Sequence, residues 1–71
     1  MKLKELFEME RIDLDFINEV SDINFYWASC ANFVMEMWGR DIETLSAKQN
    51  AWCYKILEDC IEQRIEGKQR A

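Results

Sequence analysis

Phe16, Val20, Ile23, Trp27, Cys30, Val34 and Met37 follow one another at spacings of 4, 3, 4, 3, 4 and 3 residues. Apolar groups in that alternation line one side of an α-helix and form a seam of coiled-coil type. Tyr26, Ala31, Phe33 and Trp38 flank the seam and widen the apolar stripe to about 160° of the helix circumference. A stripe that wide can cover two neighbours, so it predicts a central helix. The chain has no proline and only two glycines. A small β-domain needs many tight turns, and those two residues supply them. A hydrophobic share of 49% also excludes intrinsic disorder. The expected fold is all-α: a small helical bundle in one domain over residues 1–71. A chain this short buries only about 60% of its unfolded surface, so its own core is marginal.

The expected boundaries follow from helix caps. The central helix covers about 14–38, with Asp13 or Asp15 as N-cap and Gly39 in the left-handed position past its end. Ser46-Ala47-Lys48-Gln49 is a capping box that opens a last helix. Trp52, Cys53, Ile56, Leu57, Cys60 and Ile61 form its buried face, with Lys55, Glu58, Glu62 and Glu66 outside. Gly67 is the expected stop, and Lys68 to Ala71 are expected to fray. The link Gly39–Leu45 is short enough to fold the two long helices back as an antiparallel pair. At the N-terminus Leu3, Leu6 and Phe7 share a face with Leu14. They predict a short helix at about 2–10 and then a break, with continuity into the central helix as the alternative.

Fourteen acids against nine bases leave a net charge of -5. Nucleic-acid binding depends on lysine and arginine at phosphates, so direct nucleic-acid binding is not expected. Seven of the acids (Glu5, Glu8, Glu10, Asp13, Asp15, Glu19 and Asp22) fall in one stretch with a single base, Arg11. Such a stretch is either a solvated face or a patch that docks on a basic partner protein. Three cysteines and no apolar signal core at Met1-Lys2-Leu3-Lys4-Glu5 argue against a disulfide framework. The longest uncharged run, Ile23 to Met35, is too short for a bilayer, which takes about 20 residues. A soluble, cytoplasmic chain with no membrane contact is expected.

With no histidine, a Ser-His-Asp or Cys-His system is impossible. Cys53 and Cys60 lie two turns, about 10.5 Å, apart on one face, too far for one zinc. Glycine-rich phosphate loops are absent. Glu10 interrupts an apolar face but reads as a helix-end residue. No enzyme activity, metal or cofactor is expected.

Most aromatics fall on core faces. Phe25 does not: it shares its side with Ser29, Asn32 and Glu36, and is expected exposed. Met35 and Tyr54 lie at the edges of their stripes. Exposed aromatics ringed by polar groups are favoured binding anchors. The expected partner-binding residues are Asp13, Asp15, Glu19, Asp22 and Phe25. Faces too apolar for one small core could also meet across a homodimer.

Trp38-Gly39-Arg40, then Leu45-Ser46-Ala47-Lys48-Gln49-Asn50-Ala51-Trp52 and Lys55-Ile56-Leu57, resembles a helix–loop–helix element of bacteriophage and mobile-element proteins. There a Gly-Arg loop leads into a Leu-Ser-x-Lys-Gln-x-x-Trp helix start. The resemblance spans Trp38–Leu57, and the chain's acidity departs from the basic character of such DNA-handling proteins. Small acidic phage proteins are similar in style to anti-CRISPR proteins. The resemblance implies a phage-type inhibitor or modulator of a host or defence protein. The alternatives are a structural helical homodimer and an accessory domain of a DNA-processing system.

Overall fold

The computed structural model describes residues 1–70, with side chains as far as Glu66. Four α-helices and one 3-10 turn follow in order: α1 (Leu3–Met9), α2 (Leu14–Val20), α3 (Phe25–Met37), the turn Ile42–Thr44, and α4 (Ala47–Arg70). The all-α bundle is thus as expected, and no strand forms among the described residues. One apolar cluster joins all four helices. It includes Leu3, Phe7, Ile12, Ile17, Val20, Trp27, Cys30, Val34, Ile56 and Cys60.

The central helix expected over 14–38 is two helices. Ser21, Asp22 and Ile23 form a turn, and Asn24 adopts an extended backbone as N-cap of α3. Its side-chain oxygen accepts from Trp27 N at 2.9 Å. Asparagine, serine and aspartate offer the backbone local hydrogen bonds that compete with helix, and here they win. Ser21 Oγ also donates to Asn18 O at 2.6 Å. The break lets α2 fold against α3. It buries Ile17, which the seam omits, and turns Ile23 outward to 48% exposure. Leu14, expected on the N-terminal apolar face, is exposed as well.

α1 matches the short helix expected at about 2–10, with the expected break after it, but its caps are unusual. Lys2 gives no side-chain cap. Instead Leu3 N donates to Arg40 O at 2.9 Å and Lys4 N to Trp38 O at 3.0 Å. Free N–H groups of one helix thereby meet free carbonyls past the end of another, which satisfies both. Gly39 is not in a left-handed conformation; the positive φ belongs to Arg11, at 60°. Ile12 N donates to Phe7 O and Arg11 N to Glu8 O, the Schellman arrangement.

The capping box of α4 forms as expected: Ser46 N donates to Gln49 Oε1 at 2.9 Å, and Gln49 N to Ser46 Oγ at 3.2 Å. Cys53, Ile56, Leu57 and Cys60 face the core. α4 runs Ala47–Arg70 and so passes the stop expected at Gly67. Of Lys68 to Ala71, expected to fray, the first three continue the helix and Ala71 lies outside the described residues. Phe33 stacks on Trp52 with ring centroids 4.2 Å apart, and Tyr26 Oη donates to Asp59 Oδ2 at 2.7 Å, which ties α3 to α4.

Candidate functional site

Helix α2 and the corner that follows it carry the five residues singled out from the sequence. Asp13 is the N-cap of α2, and its Oδ1 accepts from Phe16 N at 2.9 Å. One aspartate thus serves the helix and still shows its charge to solvent. Asp15, in the first turn, places a negative charge where the helix dipole favours one. Glu19 lies four residues on, on the same outer face, and Asp22 sits in the turn. All four are exposed, as are Glu5, Glu8 and Glu10. None of these seven acids takes part in an ion pair among the described residues.

Phe25 is 93% exposed. It opens α3 on the side opposite Trp27, so the packing that buries Trp27 turns Phe25 into water. It shares a shallow groove with Ser21, Asp22, Asn24 and Ala28. Asp13 and Asp15 border a second groove with Glu8, Leu14 and Trp38. The five residues therefore divide: Asp22 and Phe25 meet at one end of α2, Asp13 and Asp15 at the other, with Glu19 between. Two residues expected on the apolar stripe are instead open to solvent. Ile23 of the expected seam and Tyr26 of its flank are both about half exposed, Tyr26 with its hydroxyl on Asp59 of α4. The missed signal was Asn24, three residues before Trp27 and suited to an N-cap.

The remaining groups are poor in chemistry. Cys30, Cys53 and Cys60 are free and buried. Burial pushes all three thiols up, that of Cys60 to about 12. The hydrogen bond to Asp59 holds the Tyr26 hydroxyl well above its ordinary range. Among the described residues no three His, Cys, Asp or Glu side chains gather as a metal site would need. No helix among them is long and apolar enough to cross a membrane. Glu10 ends α1 with its side chain exposed, and its carbonyl accepts from Arg64 Nη1 of α4. Comparison with protein-family models, curated proteins and solved structures found no match.

Proposed function

We propose that this chain is a small acidic protein-binding module that occupies a basic, nucleic-acid-handling surface of another protein. It would act as a phage-type inhibitor or modulator of host or defence machinery, anti-CRISPR-like in style, in the host cytoplasm. The observation that carries this reading is seven exposed acids between Glu5 and Asp22, none in an ion pair among the described residues, together with the exposed ring of Phe25. Such carboxylates attract the lysines and arginines that would otherwise bind phosphates. A flat aromatic ring beside them supplies the desolvated contact that charge alone lacks. Buried free thiols support a reducing compartment. The reading includes an antiparallel course of α3 and α4. Its support is that Phe33 pairs with Trp52 while Tyr26, earlier in α3, pairs with the later Asp59.

The test begins with proteins from a bacterial lysate that bind heparin. They are captured on the immobilised chain, and the strongest binder is measured by surface plasmon resonance. Association should slow as the Debye length falls from about 10 Å at 0.1 M salt to about 3 Å at 1 M. Reversing Asp13, Asp15, Glu19 and Asp22 to lysine should mainly lower the on-rate. Phe25→Ala should mainly raise the off-rate. A DNA duplex should compete for the captured protein. Binding indifferent to salt, to the four reversals and to DNA would overturn the reading.

A further inference from the structure

A second apolar seam runs along the solvent side of α4. Ala47, Ala51, Tyr54, Glu58, Ile61 and Ile65 are spaced 4, 3, 4, 3 and 4 residues apart, again the coiled-coil alternation. The face that packs α4 into the protein uses other residues, Cys53, Ile56, Leu57 and Cys60. Ala47, Ala51 and Glu58 are exposed, Ile61 is half-buried, and Tyr54 and Ile65 are 47% and 49% exposed. The seam is about 27 Å long. Glu58 is its only charge.

We propose that a second copy of this chain covers this face, with the two α4 helices antiparallel. The order of side-chain sizes selects that direction. The small residues lie at the start of the seam and the isoleucines at its end. Antiparallel pairing about a two-fold axis at Ile56 sets Ala47 against Ile65, Ala51 against Ile61 and Tyr54 against Glu58. Each layer then joins one small and one large side chain, or one hydroxyl donor and one carboxylate acceptor. Parallel pairing would set Glu58 against Glu58 and leave two alanine layers underfilled.

Charge agrees with the same register. Lys48, Lys55 and Glu62 occupy equivalent places at seven-residue intervals along one edge of the seam, and all three are exposed. In the antiparallel pair Lys48 of each copy lies two residues, about 3 Å along the axis, from the level of Glu62 of the other, within reach of these long side chains, twice by symmetry. Lys55 lies one residue from the axis, and its charge is offset by Asp59 of its own helix at 3.7 Å. The seam shares no residue with the seven acids or Phe25. A dimer formed this way presents two docking corners, and either surface can fail its test without the other.

Sedimentation equilibrium on the full chain from about 1 µM to about 1 mM tests this. The mass should rise with concentration from 8.6 kDa to twice that value. Ile65→Lys, at a half-exposed site, should leave the circular dichroism unchanged and weaken dimerisation by at least about tenfold. Lys48→Glu and Glu62→Lys should each weaken it by about tenfold, and the double reversal should restore it. A monomer at every concentration would overturn the proposal, as would a dimer that tolerates Ile65→Lys. Single reversals that weaken the dimer with no rescue in the double variant would overturn the antiparallel register.

Discussion

Arg11 stands at φ 60° where a glycine would be at ease, and Gly39 stands where φ is not positive. A left-handed backbone costs a residue with a Cβ about 1–2 kcal/mol. Arg11→Gly should therefore stabilise the protein by about 0.5–1 kcal/mol, after allowing for the extra freedom glycine gives the unfolded chain. A Cβ built at Gly39 meets nothing within 4 Å. Gly39→Ala should add about 0.4–1 kcal/mol by restricting the unfolded chain. Urea midpoints at constant slope measure both changes, and a loss in either would refute its account. The break after α1 was legible in its pattern, but the motif that makes it was not, because its usual marker is a glycine and Arg11 stands there. Cys60 yields a pH prediction. Its folded thiol stands at about 12 against an ordinary 9.0, so the folded state favours the protonated form. The stability this contributes is complete below about pH 9 and is lost as pH rises toward about 12. Cys30 and Cys53 shift in the same direction. Denaturation midpoints should fall between about pH 8 and about pH 10.5, less steeply in Cys60→Ala; equal slopes would refute the link.

Among the helices, local chemistry was legible where a cap lay within one turn of its partner. Ser46 and Gln49 announced α4, and of the two candidate caps Asp13 and Asp15 it is Asp13 that starts α2. The division of the central helix was missed because the 4-3 spacing continues through Ile23 into the turn. A seam shows that residues could share a face, not that the backbone between them stays helical. Asn24 decided the matter, so Asn24→Ala should cost about 1 kcal/mol, as loss of an N-cap does. A change under about 0.3 kcal/mol in urea denaturation would mean that tertiary packing alone places the break. The cap at the start of α1, unlike its position, was illegible. Its N–H groups are satisfied by carbonyls of Trp38 and Arg40, far along the chain.

For the whole molecule, one core must hold four helices in place, so losses in it are felt everywhere. Trp27→Ala should cost about 3–5 kcal/mol, much of the roughly 5–15 kcal/mol available to a domain. Retained helical circular dichroism with a melting point near that of the parent would contradict this. Trp27, Cys30, Val34, Ile56 and Cys60 are buried together as their periodicity implied. The sequence by itself determined the helical class, the core positions Cys53, Ile56, Leu57 and Cys60 of α4 (Trp52, expected with them, is exposed and Ile61 half-buried) and the exposure of Phe25. Those depend on the α-helical period and on groups a few residues apart, so a local reading suffices. Only the tertiary structure decided that Ile12 and Ile17 are core and Ile23 and Leu14 surface. It alone decided that α1 is capped by the end of α3, and that the half-exposed Tyr26 bonds to Asp59 of α4. The physical reason is that burial and capping of this kind depend on where the chain returns after each turn. That choice is made by surfaces remote in sequence, which no spacing along the chain records.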